Sequence, residues 1–431
     1  MHNEQQLAAR AVRLVLEGTP LPAALAAVDD KAPTRGHALV QELSYGTLRH
    51  WGRLDALVRA LSTKRIGDAH LGALAAIALY QIDHTNAPAF AVVDRAVEAA
   101  GLLARPQAKP LMNALLSRYL RERVELNTQV AAASPVAKWS YPRWWIGKVE
   151  ADQPRHWQEI LTAGNERPPL TLRINRRLAT RERVLAAFAE ASIDATPVGV
   201  AGIIVSAHTD SELPGWSDGH FAVQDAGAQL AAPLLDVRDG MRVLDACAAP
   251  GGKASHIAEL ADVALTALDT DADRLARVAQ NFARLKLDKP SLRVITGDAG
   301  DIAGWWDGLG FDRILVDVPC TASGVIRRHP DGKWLRRKSD IESFGIRQRR
   351  ILVALWDALV PGGLLLYATC SVFADENERQ IADFLASKPE ALRESISLPA
   401  ECAHVGGQLL PSGKGASHNQ DGFFYALLRK S

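Results

Sequence analysis

Apolar positions in the first third of the chain fall at helical spacing. Leu54, Leu57, Val58 and Leu61 repeat at i, i+3, i+4 and i+7, as do Met112, Leu115, Leu116 and Tyr119. That spacing collects apolar side chains on one helix face. The pattern runs from Gln5 to about Glu125. It is interrupted at Gly18-Thr19-Pro20, Ala32-Pro33-Thr34, Asn86-Ala87-Pro88 and Arg105-Pro106, where a bundle needs loops. The stretch 127–135 is polar and small and marks a boundary. Beyond it the rhythm predicts a strand at 170–174, a helix at 180–193 and a strand at 203–206.

A third rhythm begins at 243. Apolar runs at 243–247, 263–268, 292–295, 311–316, 364–367 and 423–428 alternate with helical stretches at 272–285, 341–359 and 375–385. Strand alternating with helix at this spacing predicts a doubly wound, mostly parallel α/β sheet. Three domains are therefore expected: an all-α domain over 1–135, a small α+β connector over 136–220 and an α/β domain over 221–431.

Composition changes this picture little. The 431 residues carry a net charge of +1 and are 48% hydrophobic, so cores are affordable and no global field draws the chain to nucleic acid or membrane. The longest apolar run, 71–82, is too short to cross a bilayer and reads as a core helix. The start has no basic n-region or cleavage signal. Cys247, Cys320, Cys370 and Cys402 lack paired metal spacing and a disulfide framework, which points to a cytoplasmic protein with free thiols and no metal.

Local charge leaves two readings open in several places. Residues 1–140 hold 16 Lys or Arg against 12 Asp or Glu, which fits either RNA binding or a solvated bundle surface. Between 167 and 183 lie Arg167, Arg173, Arg176, Arg177, Arg181 and Arg183 with one acid, Glu182: a phosphate-contacting face or a solvated one. Trp144 and Trp145 beside Arg143 are either a stacking platform or a packing anchor. Arg327, Arg328, His329, Lys333, Arg336, Arg337 and Lys338 read as a grip on RNA phosphates just after Cys320.

The chemistry centres on 243–253, Val-Leu-Asp-Ala-Cys-Ala-Ala-Pro-Gly-Gly-Lys. A buried strand, a tight turn and a helix N-terminus suit a nucleotide-like cofactor at the sheet edge. The string is not a dinucleotide fingerprint, since no Gly-x-Gly-x-x-Gly is present. It is not a P-loop either, because Cys247 and Ala254 stand where that motif needs Gly and Ser or Thr. Asp245, Asp269, Asp298, Asp317, Cys320 and Cys370 all fall at predicted strand ends, where such sheets bind ligands. Asp269 is placed for ribose hydroxyls and Asp298 for an adenine amino group, with Asp271 and Asp273 as N-terminal acids of the next helix.

Asp317-Val318-Pro319-Cys320 and Thr369-Cys370-Ser371 follow strands consecutive in sequence, so neighbouring strands would bring both thiols to one pocket. Two thiols, an acid and a methyl-donor site suit attack on a pyrimidine. Thiolate addition at carbon 6 makes carbon 5 nucleophilic, and an acid such as Asp317 beside the ring nitrogen stabilises the adduct. Cys402 has no such context and reads as a packing residue.

Residues 243–253, 315–320 and 367–371 together resemble the RNA cytosine-5 methyltransferase family. Val223-Gln224-Asp225-Ala226, Gly-Val-Ile-Arg-Arg-His-Pro at 324–330 and Gly422-Phe423-Phe424-Tyr425-Ala426 are similar to its bacterial small-subunit rRNA branch. Glu-Leu-Ser-Tyr-Gly-Thr-Leu at 42–48, followed by Arg49, resembles the helical RNA-binding domain of NusB. The resemblance implies a Rossmann-like methyltransferase domain preceded by an all-α NusB-like domain and the small α+β connector. It implies S-adenosylmethionine held by Cys247, Ala248, Ala249, Pro250, Gly251, Gly252, Lys253, Asp269, Asp298 and Asp317. It further implies that Cys370 attacks the base, that Cys320 assists release, and that the partner is 16S rRNA, met by a monomer. Val318 and Gly227 depart from the usual Ala and Ser, and neither change removes a functional group. A DNA cytosine-5 methyltransferase, another RNA as substrate, and a non-catalytic assembly factor remain as alternatives at this point.

Overall fold

The computed structural model describes residues 4–29, 36–62, 66–103, 106–206, 213–413 and 418–431. The predicted breaks at Ala32-Pro33-Thr34 and at Arg105 lie outside the described residues. The chain divides into two units, Met1–Asn165 with Ile326–Lys338, and Glu166–Val325 with Ser339–Ser431.

The first unit is helical, as the periodicity predicts. Its long helices include His37–Leu61, Ala69–His84 and Ala108–Ala133. Asp68 starts the second of these by accepting the backbone N–H groups of His70 and Leu71 at 2.8 and 3.3 Å. That helix contains the apolar run 71–82, and Leu74 and Ile77 are fully buried in the bundle core. Among the described residues no helix is long and apolar enough to cross a membrane. Helices continue through Trp157–Ala163 in this unit, and Trp145 is buried against Tyr141, a packing anchor.

In the basic stretch after Cys320 the structure corrects the sequence reading at Arg327 and Lys333. Residues 326–338 belong to the helical unit, and Arg327 and Lys333 are buried. Lys333 Nζ donates to the Arg49 carbonyl at 2.9 Å and to Asn165 Oδ1, and lies 3.9 Å over the Tyr141 ring. Burial pushes its ammonium pKa well down. Arg49 donates to the Arg327 carbonyl at 3.0 Å, Asp331 accepts the Leu21 N–H at 3.0 Å, and Trp334 Nε1 donates to the Leu48 carbonyl at 2.8 Å. A charge run marks a solvated face only when its side chains have no buried acceptors. Here a carbonyl, an amide oxygen and an aromatic ring supply them to Lys333, and the Arg327 backbone carbonyl accepts from Arg49, so both residues hold the segment in place.

In the second unit, β1 (Leu170–Ile174), β2 (Ala195–Val198), β3 (Gly202–Val205) and β4 (Phe221–Val223) form an antiparallel sheet in the order β2-β3-β1-β4. The helix Arg181–Glu190 starts at Thr180, whose hydroxyl accepts the Arg183 N–H. Strand β2 is absent from the sequence reading because Pro197 and two exposed positions hide its alternation.

The large sheet contains β5 (Arg242–Ala246), β6 (Ala264–Asp269), β7 (Leu292–Thr296), β8 (Phe311–Asp317), β9 (Leu359–Thr369), β10 (Ala391–Glu394), β11 (His404–Val405), β12 (Gln408–Leu409) and β13 (Phe423–Lys430). Its order is β11-β12-β13-β9-β8-β5-β6-β7, with β10 also pairing β13. The pairs from β7 to β9 are parallel, and β13 joins antiparallel. Successive side chains feed two cores. Val243, Leu315 and Leu366 enter one, and Leu244, Ile314, Leu365 and Tyr367 enter the other. Both faces are therefore covered, as a parallel sheet requires. Strand order reverses beside β5, which opens a crevice at the carboxyl ends of the strands.

Candidate active site

The Gly-rich turn leaves β5 after Ala246 and enters the helix Gly252–Leu260. Gly251 sits at φ +99°, and a Cβ there would lie 3.2 Å from Val278 Cα, so the turn needs glycine at this point. The Ala249-Pro250 peptide is cis. The turn's carbonyls are taken by side chains from elsewhere. Arg274 donates to Ala249 O at 2.7 Å, Asn281 to Pro250 O at 3.0 Å and Arg173 to Gly252 O at 2.6 Å.

Arg173 is fully buried and forks onto Glu259, with Nε to Oε2 at 3.0 Å and Nη2 to Oε1 at 2.6 Å. It also reaches Gln224 Oε1 at 2.6 Å and Ser255 Oγ at 3.0 Å. Burial raises the Glu259 carboxyl, and Arg173 offsets part of that rise. Arg177 pairs with Asp262, and Arg181 donates to the Gly199 carbonyl. Arg173, Arg177 and Arg181 thus brace the protein itself.

A cavity of about 290 Å³ opens at the strand ends, lined by Cys247, Ala249, Asp269, Asp298 and Asp317 among others. Ala248, Pro250, Gly251, Gly252 and Lys253, of the same predicted set, do not line it. Asp269 is buried and accepts the N–H groups of Ala249 and Asp271 at 3.1 and 3.2 Å. Asp271 caps the helix Ala272–Arg284 through the Arg274 N–H, as expected from sequence. Asp298 pairs with Arg350 at 2.6 Å. Burial raises its carboxyl, but hydrogen bonds from Arg350 and Gly300 outweigh this and leave it lowered. Burial and the charges of Asp317 and Asp269 push the Cys247 thiol up, so it stays protonated.

Asp245 is 1% exposed, and neither carboxylate oxygen has a hydrogen-bond partner among the described residues. Burial pushes its carboxyl up to about 7. A buried carboxylate without hydrogen-bond partners, near the end of the strand that leads into the Gly-rich turn, fits a cationic nucleoside ligand, whose charge would offset the desolvation.

The thiols meet on the neighbouring strands. β8 and β9 pair in parallel with Asp317 opposite Ala368, and Cys320 Sγ lies 3.4 Å from Cys370 Sγ. The hydrogen bond with Cys370, then burial, pushes Cys320 well above the usual thiol range. Lys253 forms an ion pair with Asp317 and lies 5.3 Å over the Phe423 ring. Burial works against its ammonium, but the Asp317 carboxylate outweighs that, and the Cys370 sulfur adds to the rise. One cation thus pairs with the acid and feels the half-buried Cys370 thiol.

The remaining motifs support this edge. Asp225 Oδ1 accepts the N–H groups of Gly227 and Asp421 at 2.8 and 3.0 Å, and Tyr425 donates to the Gly227 carbonyl at 2.9 Å. Gly324 N–H reaches the Cys370 carbonyl at 2.8 Å, and the Gly422 N–H reaches Gly324 O at 2.9 Å. A Cβ on Gly324 would stand 2.2 Å from Gly422 O, so these backbones touch without room for a side chain. Cys402 is buried, and its thiol is pushed up to about 11 by burial. Sequence reading missed Glu376, Gln348 and Asn377, which sit behind the thiols. No spacing rule links a helix-start acid to two cysteine loops.

The fold and the crevice define a Rossmann-like methyltransferase with a two-thiol centre. Comparison with known proteins makes the class specific. A family model described as 16S rRNA methyltransferase RsmB/F matches residues 232–429. A ferredoxin-like domain of RsmF/B-like methyltransferases matches 141–211, and the NusB family matches 2–121. Ribosomal RNA small subunit methyltransferase B of Pseudomonas putida is 42% identical over 436 residues, covering 99% of this chain and 98% of that protein. The protein of the same name from Vibrio cholerae is 40% identical, with 99% and 98% covered. The chain belongs to the RsmB/RsmF family of ribosomal RNA methyltransferases. The crystal structure of PH0851 shares the fold over 100% of this chain and 99% of that one, at TM-score 0.76 and 24% identity. NSun6 from Pyrococcus horikoshii, solved with SFG, matches 67% of this chain and 98% of that one, at TM-score 0.58 and 20% identity.

Proposed function

We propose that this protein methylates carbon 5 of a cytidine in 16S rRNA, with Cys370 as nucleophile, Cys320 as the thiol that assists release, and Asp317 as the acid at the base. The observation that carries the reading is the 3.4 Å sulfur–sulfur approach at the ends of β8 and β9, beside a cofactor-sized cavity. S-adenosylmethionine, when bound, supplies the methyl group that carbon 5 accepts. Cys247 to Lys253, Asp269, Asp298 and Asp317 would hold it, and the orphaned Asp245 faces a cationic ligand best.

Cys370 Sγ bonds to carbon 6, and the ring electrons move to carbon 5 and the ring nitrogen side. Asp317, held by Lys253, acts as the acid there: a proton passed through it to the ring nitrogen neutralises that charge. After carbon 5 is substituted, its proton must leave so that the carbon–sulfur bond can break. Cys320, 3.4 Å from Cys370, gives its proton to the departing Cys370 sulfur, and the Cys320 thiolate so formed takes the carbon-5 proton, whose electrons close the 5,6 double bond as the carbon–sulfur bond breaks. The base must be single-stranded or flipped out to reach the pair. The helical unit serves as the RNA-contacting module, and the reaction runs in the cytoplasm on rRNA free or in early assembly, with the protein as a monomer.

The test is methyl transfer to deproteinised small-subunit rRNA, resolved on denaturing gels. Cys320→Ala is expected to accumulate a covalent protein–RNA band. Cys370→Ala is expected to form no band and lose activity by at least about 10³-fold. A band that needs Cys320 and survives loss of Cys370 would reverse the two roles.

A further inference from the structure

We infer that Glu376 is a positioning residue of the thiol pair, its buried carboxylate tying the Cys320 loop to the Cys370 loop and so setting the distance between the sulfurs. The inference rests on the roles proposed above for the two cysteines.

Glu376 is fully buried. Oε1 accepts the backbone N–H of Thr321 at 2.8 Å and Gln348 Nε2 at 3.2 Å. Oε2 accepts the hydroxyls of Thr321 and Ser371, both at 2.5 Å. Thr321 directly follows Cys320, and Ser371 directly follows Cys370. Gln348 also donates to the Pro319 carbonyl at 2.9 Å, on the other side of Cys320. One carboxylate is therefore bonded to both loops at the residue next to each thiol.

The carboxylate is itself held in place. Tyr367 donates its hydroxyl to the Glu376 carbonyl at 2.7 Å. Asn377 brackets Cys370, accepting the Thr369 hydroxyl at 2.6 Å and donating to the Ser371 carbonyl at 2.9 Å. Among the described residues Glu376 makes no hydrogen bond to either sulfur, so it acts through Thr321 and Ser371. Four neutral donors converge on it, and charge-assisted bonds of this kind are short and directional. Glu376→Ala leaves those donors unsatisfied and frees both loops. Glu376→Gln keeps an acceptor for Thr321, and its amide can donate to the Ser371 hydroxyl, which rotates to accept.

The experiment reads sulfur spacing first, without RNA. Diamide takes two electrons as Cys320 and Cys370 lose their protons and join, and the linked peptide is quantified by mass spectrometry over time. Glu376→Ala is expected to slow linkage at least about tenfold, because a displacement near 1 Å has large kinetic cost, while Glu376→Gln stays within about twofold of wild type. In methyl transfer, Glu376→Ala should accumulate the covalent protein–RNA band seen with Cys320→Ala, and Glu376→Gln should not. Linkage at the wild-type rate in Glu376→Ala, or equal defects in the Ala and Gln variants, overturns the inference. If Glu376→Ala fails to fold, Thr321→Val severs only the hydroxyl tie, and unchanged linkage in it overturns the inference as well. A wild type without methyl transfer would sink the proposed function, while the linkage rates would still decide the role of Glu376.

Discussion

The two sides of the site each rest on one buried charged side chain, and they differ in what answers the charge. Beneath the cofactor turn, Arg173 meets a full counter-charge on Glu259. Behind the thiols, Glu376 meets only hydroxyls, an amide and a backbone N–H. Removing one partner of a buried ion pair strands the other charge, whereas removing a carboxylate held by neutral donors strands only hydrogen-bonding groups. The cofactor side should therefore fail first in stability, and the thiol side first in geometry.

Arg173→Met is the strongest way to break that contrast. It leaves Glu259 buried without its guanidinium and takes one of two side-chain donors from the Gly252 carbonyl, which keeps the Ser255 hydroxyl. The expected loss is about 3–5 kcal/mol of unfolding free energy in a urea titration. Replacing both partners, Arg173→Met with Glu259→Gln, should recover much of it. A single variant as stable as wild type would mean that the pair carries no stability.

How much of this was legible in sequence follows the same divide. The cofactor turn is a contiguous string, and the acids and thiols sit at strand ends that hydrophobic runs reveal, so Asp245, Asp269, Asp317, Cys320 and Cys370 were readable one by one. The parallel sheet followed from the alternation of strand and helix. Long-range pairing was not readable: Arg173 and Glu259 are 86 positions apart, and Thr321 and Glu376 are 55 apart. Charge runs misled for the same reason. Lys333 reads as free to grip a phosphate until the carbonyl of Arg49 and the ring of Tyr141 are placed beside it, and Arg327 is buried with it.

Asp245 sharpens the contrast, because among the described residues no hydrogen bond reaches its carboxylate and the charge of Lys253 answers it only in part. Its carboxyl is raised to about 7 in the folded chain, against about 4 when unfolded. The folded state then binds more protons than the unfolded state between those values. Its contribution to stability is fullest below about pH 4, falls as pH rises to about 7, and is level above that. Asp245→Asn should remove this decline, on the order of a few kcal/mol across the window, in melts of the cofactor-free protein. Adding S-adenosylmethionine should flatten the wild-type profile and leave the variant's unchanged. Equal pH slopes in both proteins without cofactor would rule out an only partly answered charge at Asp245.

Gly251→Ala probes the backbone share of the cofactor side and should have the smallest effect. The residue sits at φ +99°, and an added methyl meets Val278 Cα at 3.2 Å, so either the turn or the helix Ala272–Arg284 must shift by a few tenths of an ångström. Left-handed strain in a non-glycine residue costs about 1–2 kcal/mol, well below the loss expected for Arg173→Met. The displaced turn carries the Ala249 and Pro250 carbonyls that Arg274 and Asn281 hold, so cofactor affinity should fall more than stability does. Calorimetric titration with S-adenosylmethionine alongside thermal melts separates the two. The diamide linkage of Cys320 and Cys370 should be unchanged, because no bond from Glu376 reaches this turn. Slower linkage in Gly251→Ala would show that the two sides move together, and that the division between a stability-bearing side and a geometry-bearing side does not hold.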